Sequence, residues 1–295
     1  MDYKRIELDN IKEIAPFFRY APWRTCDFTI GGLFMWRDFY KMEYCVENDT
    51  FFSRLRDAND NYYYNLPLSA NIEASLRALM DSAPDADGII RFCTVPEACL
   101  ELFSASYNVQ SSVKEYNLAD YLYLSETMCT LSGRKLSGQR NQIHQFERDH
   151  PSWSFAGIDG QNLSSVRDFF LNEYHMAEHA SACEKEENEK VLEVLSHYDT
   201  YGLRGGVLSL DGHVIGFSIG EILGDTIYIH IEKAAREIKG AYQLLTNQFL
   251  KLYCSENVMY VNREEDMGDE GLRKSKNAYH PLRVLKKYTV EIRNR

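Results

Sequence analysis

The sequence has no Cys-x-x-Cys pair. Its seven cysteines are odd in number and stand apart at positions 26, 45, 93, 99, 129, 183 and 254. This spacing argues against a zinc site built from thiolates and against a disulfide framework. We expect buried, reduced thiols and no bound metal.

Long apolar runs are also missing. No stretch approaches the roughly 20 apolar residues that a transmembrane helix needs, and residues 1–5 are charged rather than signal-like. We therefore expect a cytoplasmic protein with no membrane span. A chain of 295 residues is long enough for two medium-sized domains.

The glycine-rich signatures of nucleotide chemistry are absent as well. The chain has no Gly-x-x-x-x-Gly-Lys-[Ser/Thr] loop and no Gly-x-Gly-x-x-Gly fingerprint, so nucleotide hydrolysis and dinucleotide redox chemistry have little support. One match, His175-Met176-Ala177-Glu178-His179, fits the inverted zinc-peptidase pattern. No third ligand stands out, and aromatic packing explains this helix equally well, so we do not favour a metal site.

The formal net charge of −11 is unevenly distributed. From Glu270 onward, eight Lys/Arg stand against two acidic residues, so this segment carries about +6 and the rest of the chain about −17. The acidic balance disfavours indiscriminate nucleic-acid binding. A local basic patch suits one specific anionic ligand, and a solvated basic tail is the alternative.

The order of predicted elements indicates an α+β fold that occurs twice. Each half contains a strand meander followed by a helix, a strand, a helix and a strand. In residues 1–114 we predict strands at 39–46, 50–55, 62–66, 89–93 and 109–113, and helices up to 18, at 72–82 and at 96–104. In residues 115–295 we predict strands at 121–124, 206–210, 214–220, 226–231 and 258–261, and helices at 136–148, 163–180, 187–196, one carrying Tyr242 to Leu252, and one ending near 279.

Two predicted strand-to-helix turns are candidate anion sites. Residues 236–241 open a helix, where free backbone N–H groups and Gly240 suit a pyrophosphate or carboxylate; an ordinary strand–helix connection is the alternative. The second turn, residues 262–268, follows a buried strand and is crowded with ionisable groups. Open α/β sheets bind ligands at such turns.

Arg140 lies on the apolar face of a predicted helix, between Leu136 and Ile143. A cation in that position needs a partner, and the obvious carboxylates are those of residues 264–266. A buried ion pair is one interpretation. The other is that Arg140 helps to hold a substrate anion.

Residues 134–146, the Asp211-Gly212 hairpin, residues 232–247 and residues 262–279 resemble the soluble C-terminal catalytic domain of phosphatidylglycerol lysyltransferases and of related uncharacterised bacterial proteins. The resemblance covers about residues 115–290 and implies a tandem fold of the acyl-CoA N-acyltransferase (GNAT) superfamily. Its best signature is Asn262-Arg263-Glu264-x-Asp266-Met267-Gly268-x-x-Gly271-Leu272-Arg273-Lys274-x-Lys276-x-x-Tyr279-x-Pro281.

The resemblance implies transfer of an acyl or aminoacyl group from a carrier to a small amine or hydroxyl acceptor. The carrier is either a coenzyme A thioester or an aminoacyl-tRNA, and no cofactor is expected to be tightly bound. The superfamily's phosphate loop, Gln/Arg-x-x-Gly-x-Gly/Ala, aligns with Arg236, Gly240 and Ala241, but Lys239 stands where its first glycine belongs. The alternative function is a non-catalytic module that binds an anionic small molecule.

The resemblance also implies roles for individual residues. Glu264 and Asp266 are candidates for a base or an ammonium anchor, and Tyr279 for a proton donor to the leaving group. The candidates for binding the substrate or the carrier are Arg140, Asn141, Arg236, Lys239, Gly240, Ala241, Arg263, Arg273, Lys274 and Lys276.

Overall fold

The computed structural model describes residues 1–57, 59–82, 88–175, 182–255 and 257–293, with no side-chain detail for 175 and 182–184. Up to residue 124 these form β1 (Lys4–Arg5), α1 (Ile11–Ile14), α2 (Ile30–Phe34), β2 (Glu43–Glu47), β3 (Thr50–Arg56), β4 (Tyr62–Tyr64), α3 (Ile72–Ser82), β5 (Ile90–Pro96), α4 (Leu100–Ser106) and β6 (Asn108–Leu124). They continue with α5 (Ser125–Thr130), α6 (Ser137–Asp149), β7 (Trp153–Gly157), α7 (Leu163–Phe170), α8 (Ala182–Ser196), α9 (Tyr198–Tyr201), β8 (Arg204–Leu210), β9 (His213–Leu223), β10 (Thr226–Ala234), α10 (Ala241–Tyr253), β11 (Tyr260–Asn262), α11 (Glu270–Asn277) and β12 (Arg283–Arg293).

The chain divides into two compact units. Unit 1 contains Met1–Asp120, Glu265–Glu270 and Val284–Arg295, and unit 2 contains Tyr121–Glu264 and Gly271–Arg283. The predicted boundary after residue 114 cuts the chain once, whereas unit 1 also includes segments from the C-terminal end. The reason is that β12 pairs with β5, which a linear division of the sequence does not anticipate.

The sheet of unit 1 has the strand order β1-β2-β3-β4-β5-β12-β6. Strands β2, β3 and β4 form an antiparallel meander, and α3 then crosses over so that β5 runs parallel to β4. Large aromatic side chains, including Phe51, Phe92 and Phe103, are fully buried and form the core of the unit. Their burial is the main favourable contribution to its stability.

The sheet of unit 2 has the strand order β6-β11-β10-β9-β8-β7. The hairpin between β8 and β9 turns at Asp211 and Gly212, whose φ angles of 50° and 82° match the predicted two-residue turn. After β10, helix α10 crosses over and β11 runs parallel to β10, as β5 does to β4 in unit 1. Both units therefore repeat one order of elements, a meander followed by a crossover helix and a parallel strand.

Several predicted elements differ from the structure. The predicted strands at 109–113 and 121–124 are parts of one long strand, β6, and the strands β7 and β12 were missed. The predicted strand at 39–46 begins only at Glu43. The last part of the predicted helix at 163–180 lies outside the described residues.

Residues 216–220 match a Gly-x-Ser-x-Gly pattern, which in hydrolases marks a nucleophile on a strand-to-helix turn. Here the pattern lies in the middle of β9, and Ser218 is fully buried. It does not have the geometry of a nucleophile elbow. Among the described residues, no helix has the length and apolar character that crossing a bilayer requires.

Candidate functional site

Strands β10 and β11 lie side by side only briefly. They are paired from Thr226 and Tyr260 to Tyr228 and Asn262, after which β10 continues along β9 to Ala234. Ionisable residues follow the last paired residues of both strands. They are His230 and Glu232 on β10, and Arg263 and Glu264 after β11. The end of the parallel pair in unit 2 is therefore the candidate site.

His230 connects two carboxylates at this point. Its Nδ1 lies 2.6 Å from Glu264 Oε1, and its Nε2 lies 2.8 Å from Glu221 Oε1 on the neighbouring strand β9. The imidazole is almost completely buried, with 1% of its side-chain surface exposed. Because each ring nitrogen faces a carboxylate oxygen, both can act as donors only if the ring is protonated.

The pKa of His230 supports this assignment. Burial by itself lowers the pKa, but the charges and hydrogen bonds of Glu264 and Glu221 outweigh it and raise the pKa to about 10. At neutral pH the ring is therefore an imidazolium. It orients the carboxylates and is not available as a general base.

The backbone at Glu264 directs its carboxylate toward His230. Its φ of 57° lies in the left-handed region, which non-glycine residues rarely adopt, and its N–H donates to Asn262 Oδ1 at 2.6 Å. The carbonyl of Glu264 accepts a hydrogen bond from the N–H of Tyr121 on β6. Unusual backbone angles held by neighbouring contacts are often found at functional sites.

Arg263 forms the second part of the site. Its Nη2 lies 2.7 Å from Glu232 Oε2, and Glu232 Oε1 accepts a hydrogen bond of 2.6 Å from the Thr246 hydroxyl on α10. The guanidinium also stacks on the ring of Tyr279, 4.9 Å from the ring centre. Within the described part of the chain, the buried nitrogens Nε and Nη1 have no hydrogen-bond acceptor.

Tyr279 is buried directly after α11. Burial raises the pKa of its hydroxyl to about 12, although the charge of Arg263 and a hydrogen bond with Thr246 oppose the shift. Tyr279 therefore keeps its proton at neutral pH. It has the protonation state that the role of proton donor requires.

The turn at residues 236–241 has a structural reason for its glycine. Gly240 has a φ of 90°, and an added Cβ would lie 2.7 Å from the carbonyl oxygen of Gln142 on α6. Packing of α6 against the start of α10 therefore requires glycine. The N–H of the buried Ala241 donates to the carbonyl of Ile238, so this amide is engaged within the turn.

Two cationic side chains of this turn remain at the surface. Arg236 and Lys239 are both exposed, and the Arg236 guanidinium lies 5.6 Å from the ring centre of Tyr174. The charges at this helix start favour an anion. Gly240 itself is buried, and α6 occupies the space beside its Cα.

Among the described residues, Arg140 has no carboxylate partner. It is half-buried, and its Nη1 donates to the backbone carbonyl oxygens of Leu131 and Gly133, the latter at 2.8 Å. The expected ion pair with the acidic turn is therefore wrong, because the bend that precedes α6 supplies carbonyl acceptors nearer to the guanidinium. Asn141, the next residue, is exposed.

Helix α11 presents its basic residues in different environments. Lys274 is exposed and Arg273 is half-buried, whereas Lys276 is buried with its ammonium 5.9 Å from the ring centre of Tyr121. The carbonyl of Lys276 accepts a hydrogen bond of 2.8 Å from the Tyr123 hydroxyl. Lys276 therefore has a packing role, and Lys274 is the more accessible of the two ammonium groups.

Asp266 belongs to unit 1. It is buried, and its Oδ1 accepts a hydrogen bond of 2.9 Å from the N–H of Gly268 within its own turn. The same turn is fixed by the N–H of Met267, which donates to the carbonyl of Asn117. This contact pattern gives Asp266 a structural task in shaping the turn, beside its predicted catalytic one.

Glu265 lies in a buried charge cluster of unit 1. The fully buried Lys287 ammonium is 2.7 Å from Asp120, 2.8 Å from Asp27 and 3.7 Å from Glu265. Burial raises the pKa of Asp27 to about 7, with Lys287 acting in the opposite direction. Cys26, Asp120 and Glu265 place three potential metal ligands within 4.8 Å, but Lys287 already supplies the cation that these groups need.

The predicted site residues do not include His230, Glu221, Glu232 and Thr246. A signal for two of them was present, because Tyr228, His230 and Glu232 alternate with isoleucines in a strand that is otherwise buried. Polar residues at alternate positions of a buried strand share one face and need partners. Residues 176–181, which include most of the His-x-x-Glu-His match, lie outside the described residues.

An uncharacterised protein of Mycoplasmoides gallisepticum is 26% identical over 195 residues, which cover 65% of this chain and 62% of that protein. The chain thus spans less than two thirds of this curated relative.

Two solved structures are similar. A conserved protein of unknown function from Bacteroides thetaiotaomicron superposes with a TM-score of 0.87 at 27% identity, covering 99% of this chain and all of the other. L-PGS from Bacillus licheniformis has a TM-score of 0.62 at 15% identity, covering 89% and 87% of the two chains.

The model of the family described as phosphatidylglycerol lysyltransferase, C-terminal, matches residues 18–291, which extends the resemblance through most of unit 1. The fold is the predicted α+β tandem of GNAT type. The chain therefore belongs to the phosphatidylglycerol lysyltransferase C-terminal family.

Proposed function

We propose that the chain transfers an aminoacyl group from tRNA to an amine or hydroxyl acceptor, at the end of β10 and β11. Membership of the lysyltransferase family supports an acyl- or aminoacyltransferase in general terms. The observation that carries the proposal is Arg263, a buried guanidinium whose Nε and Nη1 have no acceptor among the described residues. Donors without a partner in such a place suit an oxygen that gains charge during the reaction.

The reaction that fits this site is attack on an ester carbonyl. The acceptor forms a bond to the carbonyl carbon and gives up a proton, the bond to the ribose oxygen of the tRNA breaks, and that oxygen takes up a proton from the protein. The proton that the acceptor gives up replaces the one that the protein delivers. Arg263 stabilises the carbonyl oxygen, and Tyr279, which is protonated up to a pH of about 12, supplies the proton.

Glu264 takes the role of ammonium anchor in this proposal. The His230 imidazolium, 2.6 Å away, favours the ionised form of the Glu264 carboxylate, and the left-handed backbone fixes its direction. An ionised carboxylate that is held in place binds the α-ammonium group of an aminoacyl substrate better than it serves as a base. An unsubstituted acyl group has no charge for Glu264 to bind.

The β10–α10 turn also favours tRNA over coenzyme A. Gly240 is buried against α6, the Ala241 N–H is bonded to Ile238, and Lys239 replaces the first glycine, so this turn departs from the superfamily loop that cradles a pyrophosphate. The exposed Arg236 and Lys239 still attract phosphates through charge, as a polynucleotide backbone requires. Arg273 and Lys274 remain proposed contacts of the same two substrates.

The test compares an ester with a thioester. The purified protein is incubated with lysyl-tRNA, and with tRNA charged with other amino acids, in the presence of phosphatidylglycerol vesicles as acceptor; a parallel reaction contains acetyl-coenzyme A. We expect protein-dependent loss of the aminoacyl ester and no release of coenzyme A thiol. Arg263→Met and Glu264→Gln should reduce the rate at least about 100-fold, whereas Arg148→Met, at an exposed arginine of α6, serves as a matched control.

The alternative, a module that binds an anionic ligand without catalysis, is favoured by one observation. Glu232 and Glu264 are already engaged by Arg263 and His230 in the protein itself. Retention of tRNA on a filter without any loss of its ester, in all acceptor mixtures, would establish this function. Consumption of acetyl-coenzyme A would instead return the protein to acyl transfer.

A further inference from the structure

Cys129 and Cys254 lie next to each other in unit 2, on two helices that pack together. Cys129 is in the last turn of α5, and Cys254 ends α10, where its N–H donates to the carbonyl of Leu250 at 2.7 Å. The two thiols are hydrogen-bonded to each other. Neither sulfur belongs to the site at the end of β10 and β11.

The contacts between α5 and α10 hold the two thiols in register. The side-chain amide of Asn247 on α10 donates to the carbonyls of Met128 and Cys129, at 3.1 and 2.8 Å. Cys254 follows Asn247 by about two helical turns and therefore lies on the same face of α10. At the other end of α5, the N–H of Ser125 donates to the carbonyl of Met259 at 3.0 Å and fixes the start of the helix.

The two thiols are also within reach of a small oxidant. Both are half-buried, as is Cys93, whereas Cys26, Cys45 and Cys99 are buried. Burial raises the pKa of Cys93 and of Cys99 to about 12. By contrast, the hydrogen bond from Cys254, with the charge of Lys251 in support, lowers the pKa of Cys129. A thiol with these properties beside a second cysteine is typical of redox-sensitive sites.

We propose that Cys129 and Cys254 form a reversible disulfide when the protein meets hydrogen peroxide. In the first step the Cys129 thiolate attacks the peroxide, so that sulfenic acid forms at Cys129 and hydroxide leaves. In the second step the Cys254 sulfur displaces the sulfenic oxygen, which leaves as water. Two thiols and one peroxide thus yield one disulfide and two waters, and a dithiol reductant reverses the change.

The disulfide fastens α5 to the C-terminal end of α10. Helix α10 begins at the Gly240 turn, and α5 directly follows the β6 residues that pair with β11. The oxidised protein therefore has a covalent link between α10, which precedes β11 in the chain, and α5, which follows β6, the strand that pairs with β11.

The experiment treats the folded wild-type protein with hydrogen peroxide and then alkylates and digests it under non-reducing conditions. We expect loss of two of the seven thiols and a linked peptide pair that contains Cys129 and Cys254. Dithiothreitol should restore both thiols. In Cys254→Ser, Cys129 should instead accumulate as sulfenic acid that dimedone traps.

Two controls make the result decisive. Cys99→Ser removes a buried thiol, and Cys183→Ser removes the cysteine whose side chain the structure does not describe; both should form the same linked peptide as the wild type. A link that includes Cys183, sulfinic acid at Cys129 without any disulfide, or two thiols that resist peroxide would overturn the proposal. The wild-type map alone decides between these outcomes if a variant does not fold.

Discussion

His230 Nδ1 lies 2.6 Å from Glu264 Oε1. This contact joins the interior of β10 to the turn after β11, two places that are far apart in the sequence and adjacent at the end of the parallel pair. Because His230 also contacts Glu221 on β9, one imidazole connects the turn after β11 to both β10 and β9. The position of the Glu264 carboxylate therefore depends on the charge of one buried imidazole.

The charge of His230 makes the stability of unit 2 depend on pH. Its pKa is 6.5 in the ordinary case and about 10 in the folded protein, so the stabilisation is complete below pH 6.5 and is lost as the pH rises through about 10. We expect the wild type to lose on the order of 4 kcal/mol of unfolding free energy over this range, a loss that His230→Gln should not show. Urea unfolding from pH 6 to 10 measures it, with His213→Gln, an exposed histidine, as control. Parallel curves for wild type and His230→Gln would contradict the assignment.

Arg140 is expected to support the fold more than substrate binding. Arg140→Ala removes the donor for the Leu131 and Gly133 carbonyls and should lower the unfolding free energy by about 1–2 kcal/mol. The neighbouring Asn141→Ala should leave it unchanged, since Asn141 is exposed. Thermal unfolding measures both. A stable Arg140→Ala protein that has lost affinity for tRNA would restore the role of anion contact.

Gly240→Ala should destabilise the protein. An alanine there combines a φ of 90° with a Cβ that approaches the Gln142 carbonyl oxygen to 2.7 Å, which we expect to cost about 2–4 kcal/mol. Gly138→Ala is the control, because its Cβ meets nothing within 4 Å in helix α6. That change should stabilise the helix by up to about 1 kcal/mol. Equal melting temperatures for the two variants would show that α6 does not pack on Gly240 as described.

Lys287 is expected to be essential to unit 1. Lys287→Met leaves Asp27, Asp120 and Glu265 without their central cation and should cost about 3–5 kcal/mol. The double variant with Asp120→Asn should recover part of the loss, since it removes one buried charge. Chemical unfolding of the three proteins measures this coupling. If Asp120→Asn gave no recovery, Asp120 and Lys287 would not act as a pair.

The sequence predicted the elements whose signals are local. The Asp211-Gly212 turn, helix α3 and the helical spacing of α10 were all predicted from neighbouring residues, and the structure confirms them. The strands β7 and β12 were missed. Strand β7 pairs with β8, more than forty residues away in the chain, and β12 pairs with β5, nearly two hundred residues away. No local turn sequence therefore indicates these pairings.

The prediction of the site had a similar limit. The acidic turn was identified from its density of charged residues, and Arg263, Glu264 and Tyr279 lie in unit 2 where the candidate site is found. Their partners were not predictable, because His230, Glu232 and Thr246 reach them through the pairing of β10 with β11 and the packing of α10. The role of Gly240 depended equally on contact with the distant backbone of Gln142.

By itself the sequence determined the α+β class, the repeated order of elements and the family, because hydrophobic periodicity, turn residues and a long motif are all local properties. Only the tertiary structure decided which charges meet. It separated the adjacent Glu264 and Glu265, joining one to His230 in unit 2 and the other to the Lys287 cluster in unit 1. The physical reason is that a buried charge takes its stability from partners brought by other strands, and strand pairing is a property of the whole fold.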